Sequence, residues 1–323
     1  MVFLLLACQN PDDTGESEVI KESTDSESEI KPYPWSDNPD WWTDPGPIAP
    51  RMFPESVPGG IWDVRMATST DGVNWEPDPR HIAYGFSSFD LLPTPDGLIL
   101  TGVIQYIEND TVLLEQPSLL SLVTADLETW GSQRFRISDA TRRWTVDGGL
   151  RIRPDGLFQA HWFGTDIEGD PATLPGEHEI YSGSWDGETL VEDGLIYSRE
   201  LAADPSVCYR GDQEWLFFTY QGVTIRAAKG NGDGTFADTD LEYDFVNVPA
   251  CVASDEDFRL YAQNRGGGGP PWVVHLNEDA TFKSSAQLYT EEQDPFGYNS
   301  CTSPQMTFFK GKYVLFCAVM VFN

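Results

Sequence analysis

Apolar and polar residues alternate in short runs along most of this chain, and Gly, Asp or Asn separates the runs. The segment "MATSTDGVNWEP" (residues 66–77) has an Asp-Gly turn between two strand-like runs, which is a strong signal of a β-hairpin. Long stretches with a 3.6-residue period are absent from the pattern, so it predicts strands and very little helix. A lone hairpin is unstable in water, so this one needs partner strands elsewhere in the sequence.

The turn of this hairpin recurs downstream at intervals of about 50 residues, which is the length of one propeller blade. An Asp occupies the turn each time, and we expect all five to be structural: Asp71, Asp126, Asp186, Asp233 and Asp279. A second repeat lies between the turns, with a short strand, a polar turn and an apolar strand. It begins near Phe89, Val146, Ala203, Val248 and Thr302. Each unit therefore contains about four strands.

The order of these units breaks at the two ends of the chain. The first hairpin, residues 63–77, has no inner strands before it, and the last inner strands, residues 303–322, have no hairpin after them. Joined together, the two incomplete units make one blade and close the ring, which removes open sheet edges. We predict an all-β fold, a five-bladed β-propeller over residues 46–323, whose last blade combines the N-terminal hairpin with the C-terminal inner strands. Trp75 and Trp130 are expected in the core between blades.

The N-terminus differs in composition from the rest. Leu5-Leu6-Ala7-Cys8 ends an apolar run and resembles a bacterial lipobox, although no Lys or Arg precedes it as in a signal peptide. The acidic, Ser/Thr-rich stretch after it is typical of a solvated linker. We predict a signal segment at 1–8, lipidation at Cys8, a disordered linker at 9–45, and export with lipid anchoring to the cell envelope, at the outer membrane or in the periplasm. A buried N-terminal strand is the alternative.

The formal net charge of −32 disfavours nucleic acid and anionic membrane surfaces as partners. We expect carbohydrate as substrate or ligand, membrane contact only through the lipid, and a monomer. In an exported protein the four remaining cysteines can form disulfides in one of three pairings, or they are buried free thiols. They are Cys208, Cys251, Cys301 and Cys317. Their spacing fits no zinc site, and we predict no metal and no cofactor.

Two segments resemble the inner strands of a known group of enzymes. "ADPSVCYRGDQEWLFFTY" (203–220) and "CTSPQMTFFKGKYVLFCA" (301–318) are similar to five-bladed propeller glycosidases. These are the arabinanases and xylosidases of glycoside hydrolase family 43 and the related invertase-like fructosidases. The resemblance implies hydrolysis by carboxylates at the starts of inner strands: an Asp base that activates water, a Glu acid, and an Asp that orients the acid.

Carried over residue by residue, the resemblance makes Asp90 the base and Asp204, in its Asp-Pro dipeptide, the orienting carboxylate. The place of the Glu acid on the fourth blade holds "PAC" (249–251), which is a departure from the family pattern. Asp147 is then the substitute acid, because burial or nearby like charge raises a carboxyl pKa. Glu177 and Glu179 are further candidates, although they belong to a third strand away from the axis. The structural alternative is that Asp at a strand start caps backbone N–H groups.

Polar and aromatic residues end the second strands, at the same rim as these Asp residues. Amides and Arg bind hydroxyls, and aromatic rings stack on sugar C–H faces, so we predict a glycan pocket there. The residues are Tyr106, His161, Trp162, Tyr220, Gln221, Asn264 and Arg265. The alternatives are that Tyr and Trp fill the blade interface, that His161 is structural, and that Arg265 is an ion-pair partner.

Two functions follow from these patterns. The first is a glycoside hydrolase that acts on polysaccharide or oligosaccharide through axial carboxylates. The second is a non-catalytic surface propeller that binds glycans or serves as a scaffold and lacks the fourth-blade Glu. A protein-interaction propeller would instead expose a large apolar patch on one rim.

Overall fold

The computed structural model describes residues 33–35, 41–42, 61–104, 117–166, 176–254, 257–297 and 301–321. All of them belong to the unit Lys31–Asn323. They contain 21 strands and one short 3-10 helix, Glu291–Gln293. No helix among them is long and apolar enough to cross a bilayer.

The strands form five blades in which chain neighbours pair antiparallel. Blade 1 is β4 (Phe86–Pro93), β5 (Leu98–Ile104), β6 (Ser118–Thr124) and β7 (Gly131–Ser138). Blade 2 is β8 (Trp144–Ile152), β9 (Phe158–Thr165), β10 (Glu177–Trp185) and β11 (Leu190–Glu200). Blade 3 is β12 (Ala202–Arg210), β13 (Gln213–Tyr220), β14 (Thr224–Gly230) and β15 (Phe236–Tyr243). Blade 4 is β16 (Val246–Ala253), β17 (Phe258–Asn264), β18 (Trp272–Leu276) and β19 (Phe282–Gln287).

Blade 5 joins the first strands that the structure describes to the last two. It consists of β20 (Thr302–Phe309), β21 (Lys312–Val321), β1 (Ile61–Ser69) and β2 (Glu76–Pro77), with β3 (Ala83–Tyr84) beside β1. Strands β1 and β21 pair antiparallel over nine residues, from Ile61 opposite Val321 to Ser69 opposite Tyr313. The predicted five-bladed ring and its closure by the first hairpin are confirmed.

Blades 1 and 2 are also joined at their outer edge. Strands β7 and β11 pair in parallel over two positions, Leu190 with Ile137 and Val191 with Ser138, so the two blades form one eight-stranded sheet. This pairing covers two edges that would otherwise present free backbone groups.

The recurring turn aspartates are structural, as predicted. Asp71 Oδ1 accepts hydrogen bonds from the backbone N–H groups of Val73 (2.9 Å) and Asn74 (2.8 Å). These bonds hold the pKa of Asp71 well below its ordinary value, because they favour the charged carboxylate. The carboxylates of the other four repeats accept backbone N–H groups in the same way: Asp126, Asp186, Asp233 and Asp279.

Aromatic residues fill the spaces between blades. The Nε1–H of Trp75 in blade 5 donates to the carbonyl of Leu288 beyond blade 4, at 3.2 Å. The ring of Trp130 in blade 1 meets Phe316 of blade 5 edge to face, with 5.7 Å between centroids. Both residues therefore have the interblade role that the sequence predicted.

The N-terminal aromatic residues correct a predicted boundary. Trp35, Trp41 and Trp42 are buried in the same cluster as Phe135 of blade 1 and Phe158 of blade 2. The predicted linker, 9–45, is therefore wrong for these residues, which pack against the propeller because three indole rings are too apolar to remain in water. The predicted signal segment and Cys8 lie outside the described residues.

The cysteines adopt one of the three predicted pairings. Cys208–Cys251 joins the inner strands of blades 3 and 4, and Cys301–Cys317 joins the two inner strands of blade 5. Each bond therefore fixes strands that surround the ring axis.

Replacing Cys208 and Cys251 together with Ser is expected to lower the free energy of unfolding by about 2–4 kcal/mol, because the open chain regains loop entropy. The double variant at Cys301 and Cys317 is the matched control. It opens a loop of 16 residues instead of 43 and should lose less stability. Urea midpoints under oxidising and reducing conditions measure both losses. An unchanged midpoint for the first double variant would contradict the prediction.

Candidate functional site

Each inner strand carries a β-bulge near its start. At five places the register against the second strand shifts, and one non-glycine residue there has φ between 45° and 52°. These residues are Ser88, Asp147, Asp204, Val248 and Ser303. They are equivalent positions around the ring, so Asp147 and Asp204 occupy matching places on blades 2 and 3. Asp tolerates this backbone conformation better than most residues, which is a structural reason for Asp at both places.

Asp90 does not occupy the same position. It lies two residues after the bulge residue Ser88, deeper in the inner strand of blade 1. The residues that match Asp90 on blades 2 to 5 are Gly149, Ser206, Ala250 and Gln305. Among the three predicted catalytic carboxylates, Asp147 and Asp204 therefore lie at the same depth along the ring axis, and Asp90 lies at another.

The Asp90 carboxyl points at the junction of blades 1 and 2. A Cβ atom on Gly149 would lie only 2.6 Å from Asp90 Oδ2 and 2.5 Å from Cε1 of His161, so only glycine leaves space for both side chains. The backbone N–H of Leu91 donates to Asp90 Oδ1 at 2.9 Å. Asp90 Oδ2 is 3.9 Å from His161 Nε2, which is too long for a hydrogen bond.

His161 is neutral and fully buried. Its Nε2 lies 3.0 Å from the carbonyl oxygen of Pro205, so Nε2 carries the proton and donates it to blade 3. Burial, with the nearby charge of Arg151, lowers the pKa of His161 to about 3. The imidazole therefore links two blades and supplies no positive charge to Asp90.

The pKa of Asp90 is raised to about 7. Loss of solvent around the carboxyl is the main cause, and the Leu91 N–H group and the charge of Arg151 oppose it only in part. The side chain keeps 17% of its surface exposed, so it is only partly buried. Near neutral pH, Asp90 can thus either release or accept a proton.

Asp147 and Asp204 lie at the starts of β8 and β12, at the end of the ring where β9 and β13 finish. Asp147 is buried, with 7% of its surface exposed, and Asp204 is half-buried. Both interact with neighbouring residues of the chain. Their predicted catalytic roles stay predictions.

Blade 4 has no carboxylate at either of these depths. Val248 occupies the bulge with φ 50°, and Ala250, which matches Asp90, is 1% exposed. The backbone N–H of Val248 donates to Thr219 Oγ1 at 2.9 Å, which helps to hold the bulge. A β-branched residue in the left-handed region is strained.

Substituting Asn for Val248 is expected to raise the free energy of unfolding by about 1 kcal/mol, because Asn adopts left-handed backbone angles readily and Val does not. Val252 lies in the same strand outside the left-handed region. The same exchange there should destabilise the protein, so Val252→Asn is the matched control. Chemical denaturation measures both, and a loss of stability in Val248→Asn would disprove the strain.

Trp162 fills the interface between two blades, which is the alternative to its predicted contact with sugar. It is fully buried between blades 1 and 2, and a Cβ on Gly183 would lie 2.8 Å from its ring. A ring without exposed surface cannot stack on a sugar, so the prediction of substrate contact is wrong for Trp162. His161 is equally inaccessible, for the reason given above.

Tyr220 ends β13 at the rim, and Gln221 follows it. The Tyr220 ring faces two guanidinium groups, with Arg226 Cζ at 4.0 Å and Arg199 Cζ at 4.9 Å from its centroid. Gln221 is exposed, and its Nε2 donates to the Tyr220 hydroxyl at 3.2 Å. The Tyr220 ring thus already has two cation–π partners within the chain.

Asn264 and Arg265 lie at the corresponding rim of blade 4. Asn264 Nδ2 donates to the carbonyl of Gly268 at 2.7 Å, and Arg265 Nη1 donates to the carbonyl of Asp244 at 2.9 Å. Arg265 thus bonds a backbone oxygen and not a carboxylate of the site. Tyr106 lies outside the described residues.

The two glutamates considered as further acids already have partners. Glu179 pairs with Arg142 Nη2 at 2.5 Å and accepts the Tyr181 hydroxyl at 2.7 Å. Glu177 is exposed and accepts the Ser198 hydroxyl at 3.0 Å. Neither is placed at the inner strands.

The sequence did not single out Gly149, which contacts Asp90 and His161, or Arg151, whose charge acts on both. Arg151 is only 7% exposed although it carries a full charge. An Arg inside a predicted inner strand was the available signal, because charged residues are rarely buried without a specific reason. In the part of the chain that the structure describes, no group of three or more His, Cys, Asp or Glu residues is placed to hold a metal ion.

Comparison with known proteins supports the architecture. No family model matches the chain, and no curated protein matches it. An α-L-arabinofuranosidase from Lactobacillus brevis aligns with a TM-score of 0.52 at 11% identity, over 72% of this chain and 83% of that one. An α-L-arabinofuranosidase from Clostridium thermocellum aligns at 0.48 and 13% identity, over 70% and 80%. An endo-arabinanase from Bacillus licheniformis aligns at 0.44 and 10% identity, over 72% and 94%.

These observations define the chain as a five-bladed β-propeller. The glycosidases that its sequence resembles have the same fold. The first alignment shows this shared fold. At such low identity the likeness ends there, and the chemistry has to be argued from the residues of this chain.

Proposed function

We propose that this protein is a glycoside hydrolase that acts on oligosaccharide or polysaccharide at the end of the ring where the inner strands that carry Asp90, Asp147 and Asp204 begin. One observation carries the proposal. Asp90 has a partly exposed side chain whose pKa is raised to about 7 by its surroundings, beside a neutral histidine and without a bonded counter-charge among the described residues. Perturbed titratable groups of this kind are typical of catalytic positions.

The raised pKa favours a different role for Asp90 than the base assigned by resemblance. Glycoside hydrolysis needs one protonated carboxyl, which gives its proton to the leaving oxygen as the glycosidic bond breaks. It also needs one carboxylate, which takes a proton from the water that attacks the anomeric carbon. Asp90 suits the role of proton donor. The carboxylates of blades 2 and 3, Asp147 and Asp204, are the candidates for the base.

Turnover of aryl glycosides and polysaccharides tests the proposal. The panel includes aryl α-L-arabinofuranoside, β-D-xyloside and β-D-galactoside with arabinan, xylan and β-1,3-galactan, and it compares the wild type with Asp147→Asn and Asp204→Asn. Loss of at least a hundredfold in one variant identifies the base. Equal turnover by the wild type and a variant removes that residue from the mechanism, and no turnover of any substrate by the wild type removes the hydrolase.

The second candidate function is a propeller that binds glycans without cleaving them. The observation in its favour is the apolar pair Val248 and Ala250, where the resemblance requires a catalytic Glu. Measurable binding of a polysaccharide from the panel, without release of reducing ends, would select this function.

We also propose that the protein is exported and anchored through lipid at Cys8. Its two disulfide bonds support an oxidising compartment. Metabolic labelling with radioactive palmitate should mark the wild type but not Cys8→Ser. Label in both would exclude lipidation at this residue.

We also propose that the protein is a monomer. Light scattering of the detergent-free Cys8→Ser protein should show one.

A further inference from the structure

A polar cavity lies between blades 2 and 3, at the far ends of the inner strands from Asp147 and Asp204. Its volume is about 760 Å³. The lining includes the ends of β8 and β12 and the start of β13, contributed by Arg151, Tyr209 and Glu214. Loop 231–235, which follows β14, forms part of its rim.

The floor of this cavity is a built polar network centred on Arg151, whose side chain is nine-tenths buried. Its guanidinium donates twice to Gln159 Oε1, from Nε at 3.1 Å and Nη2 at 2.6 Å. Nη2 also lies 2.8 Å from Glu214 Oε1, and the group is 5.2 Å from the Tyr209 ring centroid. The remaining nitrogen, Nη1, is buried and has no hydrogen-bond partner among the described residues.

Further polar groups extend this network towards the opening. Asp193 Oδ2 accepts Gln159 Nε2 at 3.1 Å and the Ser184 hydroxyl at 2.8 Å. By contrast, aromatic and aliphatic residues such as Phe217 and Leu260 fill the interface of blades 3 and 4. Ring assembly therefore does not require polar groups at this position, and an unpartnered buried N–H is costly unless something binds it.

The lining restricts the chemistry of a ligand. Two arginines face four carboxylates, so the cavity is net acidic and disfavours polyanions. The carboxylates are Asp193, Asp212, Glu214 and Asp233. Guanidinium and amide N–H groups need acceptors while carboxylates need donors, and a hydroxyl serves both. Leu195, 45% exposed, and the Tyr209 ring offer apolar surface for C–H groups.

We propose that this cavity binds a neutral oligosaccharide, as a glycan site separate from the one at Asp90. A sugar chain presents hydroxyls to the Arg151–Gln159–Asp193 network and a C–H face to Leu195. Only the choice of sugar rests on the proposed function. An enzyme with such a site holds the polymer at a distance from the reacting bond.

The chain offers a matched pair of loops for a test. Asn231 Nδ2 donates to Thr235 Oγ1 at 3.0 Å on the rim, and Asn277 Nδ2 donates to Thr281 Oγ1 at 2.9 Å in the equivalent loop of blade 4. Both asparagines are exposed. Asn231→Trp should fill the opening of the cavity, whereas Asn277→Trp removes the same hydrogen bond away from it.

Isothermal titration of the full chain carrying Asp90→Asn, which prevents cleavage, measures binding of linear arabinopentaose and β-1,3-galactopentaose. We expect Asn231→Trp to lose one binding site, or at least tenfold in affinity, and Asn277→Trp to bind like its parent. Leu195→Asp, at an exposed position, should weaken binding several-fold and serves if Asn231→Trp does not fold. Unchanged binding in the folded cavity variants, or no binding by the parent, overturns the proposal.

The stoichiometry separates this inference from the proposed hydrolase. Two sites that fall to one in Asn231→Trp, together with turnover by the wild type, support both proposals. One site that falls to none, in a protein without turnover, supports the cavity and removes the hydrolase. Turnover with a stoichiometry that Asn231→Trp leaves unchanged removes the cavity alone.

Discussion

Asp90→Asn is expected to reduce kcat/KM by at least a hundredfold and, at pH 8, to make the protein more stable. The activity falls because Asn has no carboxyl proton to give to the leaving oxygen, and general acid catalysis contributes about 10²–10⁴-fold. The stability rises because the ionised carboxylate is held where solvent is scarce. Asn keeps the acceptor for the Leu91 N–H without the charge.

The sign of the stability effect follows from the raised pKa. A carboxyl with a pKa of about 7 in the folded protein and an ordinary value near 3.8 when unfolded destabilises the fold above pH 7. The penalty declines as the pH falls from 7 towards 4, where Asp90 is protonated in the folded protein. The thermal midpoint of Asp90→Asn should thus exceed that of the wild type at pH 8, and the difference should shrink in acid.

Thermal midpoints between pH 4 and 8, measured together with kcat/KM, test both effects. Asp96→Asn removes an exposed carboxyl from the same blade and is the control, with no change expected in either quantity. If Asp90 is the proton donor, kcat/KM of the wild type declines about tenfold per pH unit above pH 7. A decline below pH 7 would instead return Asp90 to the role of base, and a midpoint at pH 8 below that of the wild type would contradict the burial argument.

Trp162→Ala is expected to lower the free energy of unfolding by about 3–5 kcal/mol, the usual cost of removing a buried indole. The ring is fully buried between blades 1 and 2, and Gly183 provides the space into which it packs. The gap left behind separates two blades, so the ring as a whole should lose stability. Urea denaturation measures the loss.

Trp162→Phe is the matched control. The Nε1–H of Trp162 has no hydrogen-bond partner among the described residues, so Phe gives up contact area but no bond and should cost much less. Below the melting temperature, KM should be the same in the wild type and in both variants. A selective rise in KM with little loss of stability would restore Trp162 to the sugar-binding site.

The blade count and the ring closure could be predicted because they depend on long, regular spacing. Turn aspartates and apolar second strands recur around the whole chain, and the unmatched units at its two ends fit only each other. The docking of Trp35, Trp41 and Trp42 could not be predicted, because the acidic segment before them is typical of a linker and no local pattern shows where an isolated indole packs.

The candidate site could be predicted only in part. Asp147 and Asp204 were placed at strand starts, but the depth of Asp90 depends on a bulge at Ser88. A bulge adds one residue without a composition signal in a strand that begins Phe-Ser-Ser-Phe, so register in that strand could not be deduced. The surroundings of Asp90 come from Gly149 and Arg151 on another blade, which are distant in sequence.

The pairing of β1 with β21 also governs when this protein can mature. Residues 61–69 are synthesised long before their hydrogen-bonding partners, residues 313–321. Until β21 has been synthesised, the first strand has an unsatisfied edge that a chaperone or an export factor can hold. A circular permutant that links the two strands directly and opens the chain between blades 2 and 3 would make them neighbours in synthesis and remove that delay.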